Sequence, residues 1–450
     1  MPISPARETA YRILRRVESG RAFAVELLQS PEVAVLRDSD RRLATEIVMG
    51  VLRWGGELDF QIEQLSGKAI SYFDAEVRTV LRMSVYQLRF LEKVPPSAVV
   101  NEAVELTKSA RKRSAAGLVN AVLRKCQPRK IHSVATEQLG QDPELRDAMR
   151  RTLPVWLFER WQQNFGNDAA LALAWASNQV PTTTLRVTQG GREEARQRLA
   201  DEGVETESGR WSRGALIVRA GNVQATNAFR NGEVVIQEEG SQLVAELAAP
   251  QAGQRVLDLC AAPGIKTQQL AASLGRGTLI ASDLSARRLG TMTRLLAGRI
   301  PPGVRLHVVR LDAAAALPFG CSFDTVLVDA PCSGTGTLAR NPEIKWRLQA
   351  KDLQRLAELQ TRILRNALGV LAPGGRLVYS TCSLEAEENE RVVEGALREA
   401  GGFRQLTAAE LALMFPALSE LFDPQGYFRT RPDLHAMDGF FAAVIERIKS

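Results

Sequence analysis

This sequence has little with which to bind a metal: three histidines and five cysteines among 450 residues. No two cysteines stand in Cys-x-x-Cys spacing, so no structural zinc site is expected. An odd, sparse count also excludes a disulfide framework, and any special cysteine should be a free thiol. No apolar run approaches the roughly 20 residues of a membrane span, and no membrane partner is expected. The opening residues, Met1-Pro-Ile-Ser-Pro-Ala-Arg7, lack the apolar core of a signal peptide; a cytoplasmic protein is the expectation. No coiled-coil heptad suggests self-association, so a monomer is expected. Internal repeats and low-complexity tracts are absent too. What is present is an ordinary globular composition, 45% hydrophobic and 24% charged. At roughly 100–200 residues per domain, the chain has room for two to four.

Positive charge is unevenly placed. Residues 1–130 hold 22 Lys/Arg against 15 Asp/Glu, whereas residues 131–450 hold 36 of each. The excess of seven therefore lies in the first 130 residues. It clusters at Arg111-Lys112-Arg113 and at Arg124, Lys125, Arg129 and Lys130. Such an asymmetry points to a polyanion, most simply nucleic acid, against the plainer reading of a solvated helical surface.

Residues 1–130 read as helices: Ala6 to Val17, Ala75 to Leu91 with a stripe of Val77, Val80, Leu81, Val85 and Leu88, Ser97 to about Ala110, and Gly117 to Lys125. An all-α module is expected there. Residues 131–150 are polar and read as a linker, partly helical. Residues 151–235 alternate helix and strand, with strands at Thr183–Val187 and Ala215–Val218, as in a small α+β module. From Val234 onward, apolar strands alternate with helices. The strands are Arg255–Leu259, Thr278–Ser282, Arg305–Val309, Thr325–Asp329, Arg376–Tyr379 and Phe440–Ile445. That pattern predicts a mainly parallel, doubly wound α/β domain, whose ligands sit at the carboxyl ends of the strands.

Those ends carry the chemistry. The first strand runs into Asp258-Leu-Cys-Ala-Ala-Pro-Gly-Ile-Lys-Thr267, a tight turn opening a helix. It has neither P-loop spacing nor the three-glycine dinucleotide fingerprint. Asp283, about 20 residues beyond the turn, is placed to bind ribose hydroxyls, so an adenosine nucleoside is expected. The alternative is that Asp283 caps the next helix. Four strands in a row end in an acid: Asp258, Asp283, Asp312 and Asp329. Asp329-Ala-Pro-Cys-Ser-Gly-Thr-Gly-Thr337 adds a thiol, Cys332, and Tyr379-Ser-Thr-Cys-Ser383 a second, Cys382. Two thiols from neighbouring strand ends can face one cavity, and a nucleophile is expected among them. Cys126 and Cys321 read as inert core.

Together these motifs resemble the RNA 5-methylcytosine methyltransferases, and most of all the Sun/RsmB family, which acts on small-subunit ribosomal RNA. The resemblance covers nearly the whole chain. It implies a NusB-like helical RNA-binding domain at 1–135, a small α+β RNA-binding module at 145–230, and a Rossmann-like S-adenosylmethionine-dependent catalytic domain at 231–450. It places the cofactor loop on Cys260, Ala261, Ala262, Pro263, Gly264, Ile265 and Lys266. Asp283 would hold the ribose, Asp312 would reach the adenine side, and Asp329 would lie between cofactor and cytosine. Cys382 would be the nucleophile, and Cys332 would assist product release. One departure stands out: the family's Ala-Pro-Gly-Gly-Lys-Thr has Ile265 in place of its second glycine. A branched residue there narrows the backbone angles and crowds the cofactor.

The implied partner is ribosomal RNA, at a loop or unpaired cytosine, since a paired base costs a few kcal/mol to flip. DNA is not expected, because a DNA cytosine methyltransferase would place its nucleophile at the Pro-Cys position, here Cys332. The alternatives are the same chemistry on transfer RNA, and a non-catalytic RNA-binding assembly factor that keeps the fold.

Overall fold

The computed structural model describes residues 3–20, 22–126 and 142–449. Arg129, Lys130 and the first part of the expected linker lie outside the described residues. The chain divides into two compact units. One is Met1–Val180 with Leu338–Leu348; the other is Pro181–Thr337 with Gln349–Ser450. Among the described residues, no helix is long and apolar enough to cross a membrane.

The first unit is helical. Its helices include Pro5–Glu18, Asp38–Ser66, Ala75–Phe90, Pro96–Ser109 and Ala116–Arg124, then Pro143–Arg151, Val155–Phe165 and Asn167–Ala176. The stripe of Val77, Val80, Leu81, Val85 and Leu88 is buried, as helical spacing requires of a core face. Arg7 and Glu102 are buried as a pair, 2.6 Å apart, and Gln87 accepts from Arg7 Nε at 2.7 Å. Further partners of this kind are what make a buried charge tolerable. Lys112 is spent locally, 2.7 Å from Asp74, so the basic run leaves Arg111 and Arg113 as its exposed cations.

The late segment Leu338–Leu348 completes this unit. Trp346 donates from Nε1 to the Leu52 carbonyl at 2.6 Å, and its ring covers Gly55, where a Cβ would come within 3.0 Å. Lys345 is fully buried and donates to Asn178 Oδ1 (2.9 Å) and the Arg53 carbonyl (3.3 Å). Glu343 accepts from Ala24 N–H at 2.6 Å.

The second unit holds two sheets. Strands β1 (Thr184–Val187), β2 (Glu205–Ser208), β3 (Ala215–Ala220) and β4 (Val234–Ile236) form an antiparallel sheet in the order β2-β3-β1-β4. The helix Arg192–Asp201 contributes Ala195 and Leu199 to a core with Leu185, Leu216 and Val234. The larger sheet contains β5 (Arg255–Leu259), β6 (Gly277–Asp283), β7 (Val304–Arg310), β8 (Phe323–Asp329), β9 (Leu371–Thr381), β10 (Phe403–Gln405), β11 (Tyr427–Arg429) and β12 (Phe441–Arg447). Its order is β10-β12-β9-β8-β5-β6-β7, with β11 paired to β12. β5 to β9 are parallel; β12 runs antiparallel beside β9. Val256, Leu257, Val326, Leu327 and Val328 are wholly buried, because helices cover both faces of the central strands. Cys126 is buried as expected, but Cys321 is exposed, in the turn leading into β8. The general tendency of free cysteines to lie in the core suggested burial, yet the bend at Gly320 places this thiol outside it.

Candidate active site

The larger sheet winds outward from β5 through β6 to β7, then returns to the other side of β5 for β8 and β9. A crevice opens at such a switch point, beyond the carboxyl ends of the two strands that flank it. Here those strands are β5 and β8. After β5 the backbone turns sharply: Cys260 has φ 62° and Gly264 φ 103°. A Cβ at Gly264 would come within 2.5 Å of Met292 Cγ, so this glycine is the one the loop requires. Ile265 is instead the first residue of the helix Ile265–Leu274, in backbone that any side chain accepts. The narrowed angles expected at this position therefore exact no strain. Its side chain does line the crevice.

The crevice is a cavity of about 250 Å³ lined by Asp258, Cys260, Ala261, Ala262, Pro263, Ile265, Lys266 and Asp329, with Ile236, Gln237, Glu238 and Ser241 opposite. Asp258 is buried. Its Oδ2 accepts from Thr267 Oγ1 at 2.6 Å, while Oδ1 has no hydrogen-bond partner. Burial pushes its pKa up to about 7. Burial and the nearby carboxylates push the Cys260 thiol up to about 12, which makes it a poor nucleophile. Lys266 Nζ lies 2.9 Å from Asp329 Oδ2, and Ser380 Oγ donates to Oδ1 at 3.0 Å. Burial alone would lower the Lys266 pKa, but Asp329 outweighs it and holds the ammonium above its ordinary range.

Cys332 follows β8, and Cys382 is the first residue beyond β9. Their sulfurs are 3.3 Å apart. The loops are joined by Gly336 N–H to the Cys382 carbonyl (2.9 Å) and Leu384 N–H to Thr335 Oγ1 (2.9 Å). The hydrogen bond with Cys382, then burial, then the charges of Cys382 and Glu388 hold the Cys332 thiol well above its usual pKa. The Lys266 ammonium is close enough to Cys382 to feel its charge.

The remaining expected residues fall elsewhere. Asp283 is buried at the end of β6, where Oδ1 accepts from Ser285 N–H at 2.8 Å and Oδ2 lies 3.3 Å from Arg288. Arg288 also donates to the Ala262 carbonyl, linking Asp283 to the loop. Ser285 is the N-cap of the helix Ala286–Leu296, so Asp283 does engage the next helix. Asp312 is exposed beyond β7 and accepts from Ala314 N–H at 2.9 Å, away from the crevice lining. Sequence reasoning passed over Glu388, which carries no motif of its own, and quoted Ser380 only as a member of the Tyr379–Ser383 run without giving it a role. Asp258 was visible only as one strand-end acid among four.

A doubly wound sheet with a loop-and-acid crevice at its switch point, in a chain that also carries a helical unit and a small antiparallel module, defines a multidomain methyltransferase. Three family models match in chain order: the NusB family over residues 4–128, a ferredoxin-like domain of the RsmF/B type over 153–224, and the 16S rRNA methyltransferase RsmB/F over 245–446. The ribosomal RNA small subunit methyltransferase B of Pseudomonas putida is 34% identical over 447 residues, 98% of each chain. The solved structure of PH0851 superposes with a TM-score of 0.78 at 26% identity, covering 99% of this chain and 100% of that one. A methyltransferase homolog protein from Pyrococcus horikoshii gives 0.57 at 29% identity, over 68% of this chain and all of its own. The chain belongs to the family of ribosomal RNA small subunit methyltransferase B. S-adenosylmethionine is the methyl donor such a site takes, and the residues fit it: a buried carboxylate oxygen without a partner suits a cationic ligand, and the Cys260–Lys266 loop leaves room beside it.

Proposed function

We propose that this chain methylates carbon 5 of a cytosine in small-subunit ribosomal RNA, through a transient bond between Cys382 and carbon 6 of the base. The observation that carries this reading is the approach of two thiols to 3.3 Å, next to the Lys266–Asp329 pair that lines the crevice.

Carbon 5 of cytosine is a weak nucleophile. Attack of the Cys382 sulfur on carbon 6 moves an electron pair to carbon 5 and ring nitrogen 3. A proton passed from the Lys266 ammonium through Asp329, whose other oxygen accepts from Ser380, neutralises the charge at nitrogen 3. S-adenosylmethionine, when bound, supplies an electrophilic methyl group. The carbon 5 proton then passes to a water held by Cys332, and the sulfur–carbon 6 bond breaks with its electron pair returning to the Cys382 sulfur, restoring the ring. Cys332, beside the bonded sulfur, assists that release. Asp258, Asp283 and the Cys260–Lys266 loop hold the cofactor, with Asp312 at its adenine side; Arg288 must then share Asp283 with the ribose.

RNA is held by phosphate contacts, which position it without reading sequence. Arg111 and Arg113 supply some. Residues 284–311 supply more: they hold six arginines and one histidine, and no Asp or Glu.

Denaturing electrophoresis after expression in cells tests the chemistry. Cys332→Ala should carry an RNase-sensitive covalent adduct, and sequencing of the trapped RNA should place it in small-subunit ribosomal RNA. Cys382→Ala should carry none and make no 5-methylcytosine. An adduct on Cys382→Ala instead would reverse the two roles. No adduct on either variant, with no methylation by the wild type, would leave a non-catalytic assembly factor.

A further inference from the structure

Glu388 is fully buried beneath both cysteine loops, and the chemistry above does not use it. It lies in the turn before the helix Glu390–Glu399. Oε1 accepts from Ser333 N–H at 2.8 Å and from Gln360 Nε2 at 2.9 Å. Oε2 accepts from Ser383 Oγ at 2.5 Å and from the Ser333 hydroxyl. Ser333 directly follows Cys332, and Ser383 directly follows Cys382. Their two hydroxyls are themselves 3.1 Å apart. The Glu388 carbonyl accepts from Tyr379 OH at 2.6 Å, which ties the residue back to β9. One carboxylate thus gathers four donors, from the loop after β8, the segment after β9 and the helix Ala350–Gly369.

We propose that Glu388 is a positioning residue of the methyl-transfer site: its carboxylate laces the two cysteine loops into the register that brings the thiols together, and it sets a negative charge on the Cys332 side of the pair. The proposal rests on the two-thiol reading of the site. The loop after β8 contains Gly334 and Gly336 and needs an external anchor to hold one conformation. A buried carboxylate is otherwise unfavourable, and burial does raise the Glu388 pKa; four donors are what make the ionised form tolerable. The titratable groups that face Cys332 are Cys382, Tyr379 and Glu388, and none of them is a cation. The cation of the site, Lys266, acts on Cys382. The two sulfurs therefore sit in opposite electrostatic surroundings, with Glu388 on the Cys332 side. A negative charge there adds to the hydrogen bond with Cys382 and to burial in disfavouring a second anion at Cys332.

The test uses the full chain as wild type, Glu388→Gln and Glu388→Ala. Iodoacetamide labelling of Cys332 and Cys382 is followed by peptide mass spectrometry across pH, without RNA, alongside cofactor binding and methyl-transfer kinetics. Glu388→Gln keeps one oxygen for the Ser333 and Gln360 N–H groups, lets its amide donate to the two serine hydroxyls, and removes the charge. Its labelling midpoint at Cys332 should fall by roughly one pH unit. Glu388→Ala unlaces the loops, and kcat should drop by roughly tenfold or more. Cofactor affinity should stay within about twofold in both, since neither change touches the crevice lining. A Glu388→Gln labelling profile superimposable on the wild type overturns the proposal, and it does so even if Glu388→Ala fails to fold. Absence of 5-methylcytosine in wild-type product would sink the reading of the reaction, while the labelling comparison would still judge Glu388.

Discussion

At the scale of single residues, Asp258 is the most exacting. Its folded pKa of about 7 stands above the unfolded value near 3.9. The folded state therefore holds a proton that the unfolded state has released between those two pH values. The stability this confers is complete below about pH 4 and is lost as pH rises through about 7. Asp258→Asn should abolish that loss and be more stable than wild type at pH 8, by up to about 4 kcal/mol. Thermal melts of both proteins from pH 5 to 8 check this; parallel curves would refute it. The same variant should bind S-adenosylmethionine more weakly, because the cationic ligand loses its anion. Cys332, Cys382 and Asp329 were legible because each sits in a short run of chemically unusual residues at a strand end. Glu388 and Ser380 were not, because their importance comes from tertiary neighbours 50 or more positions away, Ser333 and Asp329. Asp283 was half legible: its place at a strand end follows from hydropathy, but its contact with Arg288 does not.

At the scale of elements, continuous apolar runs announced β5 to β9 and β12, since strands covered on both faces leave that signature. β2 and β10, short strands with exposed or half-buried residues, gave no such pattern, and β11, though mostly buried, is only three residues long. The longest helix, Asp38–Ser66, was unnoticed because its core face is interrupted by Gly50, Gly55 and Gly56. Charge counting over long windows also concealed a feature. The helix Ala286–Leu296 and the edge strand β7 expose Arg287, Arg294, Arg305 and Arg310, yet acids elsewhere cancel them in the tally. Reversing Arg294 and Arg305 to Glu should weaken RNA binding by roughly tenfold or more near physiological salt and flatten its salt dependence. Filter binding across a potassium chloride series measures both, and an unaltered slope would show that this face does not meet phosphate.

At the scale of the whole molecule, the helical unit is discontinuous in sequence, and Lys345 is its clearest signature. Burial, then the charge of Arg53, lowers the Lys345 pKa far below its ordinary value. In that window the unfolded chain binds the extra proton, so this residue makes the fold gain stability as pH rises toward about 10.4. The melting temperature of the wild type should rise relative to Lys345→Met between pH 8 and 10, as differential scanning calorimetry can read. A constant difference between the two proteins would contradict this. Truncation should be unkind as well: a fragment of residues 181–450 would strip Ile344, Lys345 and Trp346 of the helices they pack on and should aggregate, as light scattering would reveal.

The same discontinuity sets a schedule during synthesis. Residues up to Val180 leave the ribosome roughly 170 positions before Leu348 follows. At roughly 5–20 residues per second, the helical unit waits about 10–30 s for Lys345 and Trp346. Until then Gly55 and the Leu52 carbonyl lack the indole that covers them, and the nascent chain is a natural client for a chaperone that shields apolar helices.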